Sequence, residues 1–426
     1  MALPEKAPSG RQIFAFKEHL KGVFLGSEER FAPVDGMRAI TMLNVVLFHC
    51  LFGFTKVYDE AKNYVFVDNL PGYLNWVWQV RGSDCLFLVS GFLMGITLIR
   101  EYQKNESINV MRFYKRRMMR IYPLFLVALA IYTMVDFDRN IQYLWSNLLL
   151  ITNFSAEQRN IIPVGWSLAV QVQFYLISPF IVMVIFLSKH RLLLFILLLV
   201  GMQILRYLIV FTHPQLNDIP QYYYYLDLAK TRLQADLLYY NLHTRFGPFA
   251  FGLIIAYIGL TKGKEIAALT QRFPLINIAA YTLAFLLMWW ASYIAIHNPA
   301  DPYYQDLSEL RNLNYIATNK NLFVSGFAVL VFFAIYGNRE LNPIRWFVSR
   351  KFWFPITQLI LPIYFFHFIF LVLAAALIFG TTDEEAIPMV SDYHIFAVFS
   401  LTVAFTFIFS VFFHVFVEKP FINMRN

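Results

Sequence analysis

Arg38 and His49 lie eleven residues apart in one apolar segment, and their side chains could carry out proton transfer inside a membrane. Eleven residues at about 100° each make roughly three helical turns, so both side chains share one helix face, about 16 Å apart along it. An imidazole in hydrocarbon is costly and marks a functional site by default; it also titrates near neutral pH, which suits a general base. The alternatives are an interfacial anchor or an Asp35 partner for Arg38, and a helix-packing hydrogen bond for His49.

Asp84 is an acidic residue in the second apolar segment and needs a partner there. Arg81, one helical turn away, is the simpler partner. His49 is the alternative, because a carboxylate that accepts a hydrogen bond from one ring nitrogen orients the other nitrogen and raises its basicity. The sequence leaves both pairings open.

Arg117 and Arg120 lie one turn apart in R-R-M-M-R-I-Y-P, at the start of the third apolar segment. Such arginines either anchor a helix at the membrane surface or bind a phosphate group, which arginine contacts with two parallel hydrogen bonds. The sequence alone does not decide between these two roles.

A polar stripe runs along the fourth apolar segment, where successive polar residues are four, four and three positions apart. This spacing places them on one helix face directed into a bundle. The residues of the stripe are Ser167, Gln171, Tyr175 and Ser178. The stripe predicts either a hydrogen-bonding wall for a hydroxylated molecule or polar contacts between helices.

The elements that must position these residues are membrane helices. The chain has 426 residues, of which 58% are hydrophobic and 15% charged, whereas a soluble domain carries about a quarter charged residues. Ten apolar stretches are long enough to cross a bilayer, and they predict an all-α, polytopic membrane helical bundle. These stretches are 37–56, 79–99, 120–136, 166–187, 191–211, 246–261, 274–297, 321–337, 357–380 and 393–417. A further apolar stretch, 141–152, predicts a re-entrant or interfacial helix.

The charges predict how the helices are oriented. Lys and Arg concentrate in the connections 100–119, 262–273 and 338–356, whereas 381–392 contains acidic residues and no Lys or Arg. The positive-inside rule therefore predicts that both termini are cytoplasmic. The same rule accounts for the net charge of +8, so we expect no nucleic-acid partner. No metal signature occurs, because no carboxylate stands at ligand spacing beside His49 or His367.

Five sequence blocks together resemble a known family. P-V-D-G-M-R-A-I followed by His49 resembles the Arg-x10-His signature of the acyltransferase-3 family of membrane acyltransferases. Four further blocks match in order: S-D-C-L-F-L-V-S-G-F-L, F-Y-K-R-R-M-M-R-I-Y-P, W-S-L-A-V-Q-V-Q-F-Y-L-I-S-P and L-I-L-P-I-Y-F-F-H. The stretch R-F-G-P-F-A-F-G-L at 245–253 resembles the branch related to nose-resistant-to-fluoxetine proteins.

The resemblance implies an enzyme that transfers an acyl group, commonly acetyl, from cytoplasmic acyl-CoA to a hydroxyl of an extracytoplasmic or membrane-associated glycan or lipid. It also implies a cytoplasmic segment 1–36, a transmembrane domain 37–417 and a cytoplasmic tail 418–426, in a plasma or inner membrane. A homo-oligomer is left open. The alternatives to this function are a transporter or lipid-handling protein and a non-catalytic family member.

The resemblance assigns roles to individual residues. We expect His49, Arg38 and Asp84 to be catalytic, with His49 as the general base. Arg117 and Arg120, together with Arg38, are expected to bind the acyl-CoA phosphates. The residues expected to contact the acceptor are Trp166, Ser167, Gln171, Tyr175, Arg245 and His367.

Gln171 departs from the family pattern, which usually has Glu in W-S-L-x-x-E. A glutamine amide donates and accepts hydrogen bonds but does not exchange a proton at neutral pH. Gln171 is therefore either a binding or orienting residue, or a sign that the activity of this chain is altered.

Overall fold

A computed structural model of the protein describes residues 14–25, 32–53, 81–154, 160–216, 228–293, 309–381, 387 and 390–424, and these residues are helical or irregular, without β-strands. The all-α prediction is confirmed for this part of the chain. The acidic residues 383–385 and much of the termini lie outside it.

Ten of the described helices are long and apolar enough to cross a membrane, so the predicted number is confirmed and the protein is a multi-pass integral membrane protein. In chain order they are α1 Ala32–Gly53, α2 Gly82–Asn105, α3 Val110–Val135, α4 Gly165–Leu187, α5 Arg191–Thr212, α6 Leu242–Arg272, α7 Leu275–Tyr293, α8 Glu309–Tyr336, α9 Ile360–Phe379 and α10 Asp392–Phe413. The sidedness of the termini remains a prediction.

Three helices are much longer than the sequence predicted, and one of them is α3, with 26 residues against the predicted 120–136. The structure extends α6 to 31 residues and α8 to 28 residues, against the predicted 246–261 and 321–337. Their additional turns carry polar side chains that are buried between helices, such as Arg245 and Asn319. Hydropathy places such residues at the membrane surface, because it does not register a partner on another helix.

Short helices lie before, between and after the spans. They are Phe16–Phe24, Phe137–Asn140, Leu144–Leu148, Leu228–Gln234, Pro343–Val348, Trp353–Gln358 and Lys419–Met424. The predicted helix at 141–152 is a series of short turns around Leu144–Leu148. Trp353–Gln358 fixes the start of α1, because the hydroxyl of Thr357 donates a 2.6 Å hydrogen bond to the carbonyl oxygen of Asp35.

The helices α2 and α6 cross at backbone contact distance. A Cβ atom added at Gly91 would lie 2.4 Å from the carbonyl oxygen of Phe249, and one added at Gly252 would lie 2.3 Å from that of Leu88. Such distances exclude any side chain larger than hydrogen. Stacked rings continue the contact to α4, since Phe249 lies 4.1 Å from Phe174 between ring centroids. Glycine at the crossing therefore sets the register of α2 against α6.

We predict that Gly252→Leu disrupts the bundle. The new side chain would meet the backbone of α2, and overpacking of a tight core costs about 1–3 kcal/mol even where side chains can yield. We expect a clearly lower midpoint of thermal unfolding in detergent micelles.

Gly201→Leu in α5 is the matched control, because a Cβ at Gly201 meets nothing within 4 Å. Equal unfolding midpoints for the two variants would show that the close crossing is not needed for the fold.

Candidate active site

His49 of α1 and His367 of α9 contact each other inside the bundle. His367 Nε2 lies 2.9 Å from His49 Nδ1, and the ring centroids are 5.0 Å apart. His367 is fully buried, whereas His49 is half-buried beside the ring of Phe368. The sequence pointed to both imidazoles but not to their contact, since 318 residues separate them.

The hydrogen bonds of this pair assign the proton on each neutral ring. His367 Nδ1 lies 3.0 Å from the carbonyl oxygen of Ile363, which can only accept, so Nδ1 carries the proton. His367 Nε2 is then the acceptor, and His49 Nδ1–H donates to it. This assignment leaves a lone pair on His49 Nε2, which is what a general base requires.

A cavity of about 120 Å³ lies between α1, α2, α3, α4 and α9. Its polar lining residues are Arg38, Ser83, Ser90, Arg117, Arg120, Ser167, Gln171, Tyr175 and Tyr364. The cavity is smaller than the roughly 300–1,000 Å³ of a drug-sized pocket, so it fits a narrow chain rather than a nucleotide. Six of the predicted site residues thus line this one cavity. The predicted residues outside the lining are His49, Asp84, Trp166, Arg245 and His367.

Three arginines supply positive charge to the cavity. Arg38 pairs with Asp35 at 3.8 Å, as the sequence suggested. The guanidinium of Arg117 lies over the ring of Tyr175, 5.8 Å from its centroid. Arg120 interacts electrostatically with Arg38 and forms no ion pair with a described residue. Guanidinium groups arranged in this way suit a phosphate, which each can contact with two hydrogen bonds.

Gln171 orients hydroxyl groups on the facing wall. Its Nε2 donates a 2.9 Å hydrogen bond to Ser90 Oγ and another to the hydroxyl of Tyr175. The Ser90 and Tyr175 hydroxyls are themselves 3.0 Å apart. Gln171 and Tyr175 thus make the polar contacts between helices that the sequence offered as one alternative, and both line the cavity with Ser167. Contact of this wall with a hydroxylated molecule stays a prediction. In this network Gln171 acts as a hydrogen-bond donor, and its role toward the acceptor stays a prediction.

Asp84 pairs with Arg245, so both partners predicted for it are wrong. Arg245 Nη2 lies 3.1 Å from Asp84 Oδ1, and Nη1 donates to Oδ2 at 3.3 Å. Each side chain is only 1% exposed. Arg81 instead donates to the Asn319 side chain of α8 and to a carbonyl of α7. Asp84 pairs with Arg245 because Arg245 extends from α6 at the level of Asp84. Arg81 precedes α2, and its side chain is directed to α7 and α8 instead.

Trp166 and Arg245 belong to a buried aromatic box. The guanidinium of Arg245 lies 4.5 Å from the ring centroid of Tyr239 and 5.6 Å from those of Trp166 and Phe87. The box meets the cavity at Ser83, whose Oγ accepts a 2.7 Å hydrogen bond from Arg245. A contact of Trp166 or Arg245 with an acceptor stays a prediction.

Tyr364 is the site residue that the sequence analysis missed. It lines the cavity, and its ring centroid lies 6.2 Å from that of His367. Its hydroxyl donates to the carbonyl oxygen of Val164 at 3.1 Å and also contacts Ser167. Tyr364 therefore stands between the cavity and the histidine pair. Its position one helical turn before His367 could have identified it from the sequence, because residues at this spacing share a helix face.

The described residues contain no group of three His, Cys, Asp or Glu side chains placed to hold a metal ion. The chemistry that these residues offer is proton transfer at an imidazole, beside a cavity with cationic and hydroxyl walls.

Comparison with known proteins shows a family match that spans the residues of the site. The acyltransferase-3 profile, described as an acyltransferase domain, matches residues 31–415. An O-acetyltransferase OatA of Staphylococcus aureus is 27% identical over 246 residues, which are 52% of this chain and 36% of that protein. A peptidoglycan O-acetyltransferase OatA of Listeria monocytogenes is 24% identical over 173 residues, which are 35% of this chain and 24% of that protein.

The matches thus cover about a third or less of the length of these two curated relatives. An uncharacterized protein of Haemophilus influenzae is 32% identical over 127 residues, which are 25% of this chain and 51% of that protein. No solved structure matches the chain.

We predict that Asp84→Asn destabilises the fold. The substitution leaves the Arg245 guanidinium buried without a counter-charge, and breaking a buried pair from one side costs about 3–5 kcal/mol. Thermal unfolding of the purified protein measures the effect. Asp136→Asn is the control, because Asp136 pairs with Arg139 at the surface, where such pairs contribute about 0–1 kcal/mol. An unfolding midpoint for Asp84→Asn as high as that of the control would rule out a structural role for the buried pair.

Proposed function

This chain belongs to the acyltransferase-3 family, and on that premise we propose that it is a membrane O-acyltransferase. It transfers an acyl group, in the simplest case acetyl, from acyl-CoA to a hydroxyl of a glycan or lipid. The observation that carries the proposal is the order of groups in the bundle: three arginines, a narrow cavity, and then a paired imidazole with a free lone pair. The relatives named as O-acetyltransferases support acetyl as the group and a glycan as the acceptor.

The donor binds at the arginine end of the cavity. Arg117 and Arg120, with Arg38 beside them, contact the phosphates of acyl-CoA through paired hydrogen bonds. The nucleotide is too large for the cavity and stays outside it, while the extended pantetheine arm enters with the thioester at its end. The ionic end of the donor thus remains near the surface, and the reacting carbonyl moves into the bundle.

His49 Nε2 accepts the proton of the acceptor hydroxyl while the hydroxyl oxygen attacks the thioester carbonyl. The carbon–sulfur bond breaks, and the protonated imidazole returns the proton to the departing thiolate. The products are the ester and free coenzyme A. His367 is a positioning residue, because its Nε2 holds the Nδ1–H of His49 and so keeps the lone pair on the reacting nitrogen.

The thioester must pass Tyr364 to meet His49, because Tyr364 lines the cavity and its ring centroid lies 6.2 Å from that of His367. Ser167, Gln171 and Tyr175 then provide hydrogen-bond partners for the incoming hydroxyl. A two-step route through an acylated residue would use the same base in each step.

The rival function, a transporter or lipid-handling protein, uses the polar interior but gives His49 no chemical role. Stabilisation of the purified protein by coenzyme A, and release of coenzyme A from acetyl-CoA, separate the two. The absence of both effects at millimolar ligand would favour the transporter or lipid-handling function.

We predict that His49→Ala lowers acetyl-CoA turnover by about 10²–10⁴-fold, the usual contribution of a general base. His367→Leu should lower the turnover less than His49→Ala does. His367→Gln should restore part of the turnover lost in His367→Leu, because the glutamine amide oxygen still accepts the hydrogen bond from His49 Nδ1–H. Free thiol released from acetyl-CoA by the purified protein is the readout.

His190→Ala is the control for these variants, since His190 is exposed in the connection between α4 and α5. Near-normal turnover of folded His49→Ala would exclude the base assignment. Equal turnover of the Leu and Gln variants at position 367 would exclude the positioning role.

We predict that Arg120→Gln raises the KM for acetyl-CoA about tenfold or more, since a hydrogen bond to a charged group contributes about 1.5–3 kcal/mol. The value of kcat should change little, because Arg38, Arg117 and Arg120, which we call the donor arginines, lie away from the reacting atoms. Arg116→Gln, an exposed neighbour in the same helix, is the control and should keep the KM. A lower kcat with an unchanged KM would contradict phosphate binding at Arg120.

A further inference from the structure

A second group of cations, of which Arg81, Arg206 and Arg245 are buried and Lys320 is half-buried, lies at the Asp84 end of the bundle, apart from Arg38, Arg117 and Arg120. We name it the Asp84 cluster. Its charged members are Arg81, Asp84, Arg206, Arg245 and Lys320, which come from α2 and the residue before it, α5, α6 and α8. Four cations therefore surround one carboxylate in the described part of this end of the bundle. Burying like charges is costly unless each has a partner.

The three arginines of the cluster have partners. Arg206 is 2% exposed and donates to the backbone carbonyl oxygens of four residues at 3.0–3.4 Å. Arg245 pairs with Asp84 and donates to Ser83. Arg81 donates to one side-chain oxygen and one backbone oxygen. The hydrogen-bonding demand of these guanidinium groups is thus largely met within the protein.

Lys320 differs from them. Its ammonium forms no hydrogen bond or ion pair with a described residue, and it lies over the ring of Tyr239, 4.1 Å from the ring centroid. The guanidinium groups of Arg245, Arg81 and Arg206 repel this ammonium, and the carboxylate of Asp84 attracts it. An ammonium has three N–H donors, and those of Lys320 have no acceptor in the described part of the protein.

The Asp84 cluster adjoins the reaction cavity. Ser83 lines that cavity and also accepts the hydrogen bond from Arg245. Arg245 and Lys320 lie over the same ring, that of Tyr239. A molecule that places a hydroxyl in the cavity can therefore place an anionic group beside Lys320. Such a group would supply both the missing acceptor and the missing negative charge.

We propose that Lys320, backed by Arg245 and Arg81, binds an anionic group of the acceptor, so that the enzyme acts on acidic rather than neutral sugars. The anionic group is a carboxylate or a phosphate. The proposal rests on the acyltransferase function and deepens it, because it names the charge class of the acceptor. Lys320 acts as a specificity residue and takes no part in proton transfer.

The test compares matched probes on the purified full chain in detergent: D-glucuronate, glucose 6-phosphate and glucose. The acids differ from glucose by their charged group, and they separate carboxylate from phosphate recognition. We expect thermal stabilisation by at least one acid and none by glucose. Lys320→Gln should weaken binding of that acid about tenfold to a hundredfold, the effect of losing one hydrogen bond to a charged group. Lys320→Arg should retain most of the binding.

Lys262→Gln is the control, because Lys262 pairs with Glu265 on an exposed turn of α6. Its binding of the acid should equal that of the unaltered protein. Equal binding of glucose and the acids, no binding of either acid at high concentration, or full binding by Lys320→Gln would each overturn the proposal.

Coenzyme A separates failure of this proposal from failure of the proposed function. Lys320→Gln should be stabilised by coenzyme A as much as the unaltered protein, since the donor arginines form a different group. Coenzyme A binding and turnover without discrimination between acids and glucose would overturn the acceptor proposal alone. Absence of both coenzyme A binding and turnover would overturn the acyltransferase function, whatever the acids do.

Discussion

The buried ion pair between Asp84 and Arg245 is the constraint on which the rest of the bundle depends. Both residues lie seven positions before the glycine at which their helices cross, Gly91 in α2 and Gly252 in α6. Two turns of helix thus separate the charge contact from the backbone contact on each side, and the two contacts fix one register together. A shift of either helix would leave a charge without its partner in a water-poor interior. The same register places Ser83 between the ion pair and the cavity.

The bundle keeps its two groups of positive charge apart. Arg38, Arg117 and Arg120 line the cavity, whereas the Asp84 cluster adjoins it at Ser83. The histidine pair occupies a third position, behind Tyr364, so neither group of cations contacts the imidazoles directly. This separation suits the general base that we propose at His49, because a positive charge close by would disfavour the protonated imidazole that the reaction must form.

The sequence predicted which residues line the cavity better than it predicted how the polar side chains pair. Hydropathy located ten spans, and the helical period placed Ser167, Gln171 and Tyr175 on one lining face. It paired Asp84 wrongly, because its partner is 161 residues away on another helix and helix periodicity carries no information about that distance. The contact of His49 with His367 was hidden for the same reason. Tyr364 was overlooked because a tyrosine in an apolar segment is common, and its role depends on what lies on either side of it.

The hydrogen-bond chain through the histidines ends at the carbonyl oxygen of Ile363. A backbone carbonyl accepts a hydrogen bond but does not take up a proton at physiological pH. A proton gained by His49 therefore has no onward route through His367 and can leave only the way it came. Polar chains across a bilayer that end in titratable groups conduct protons and dissipate the membrane potential. A chain that ends in a carbonyl offers no such path, so a general base at His49 would not make the bundle a proton leak.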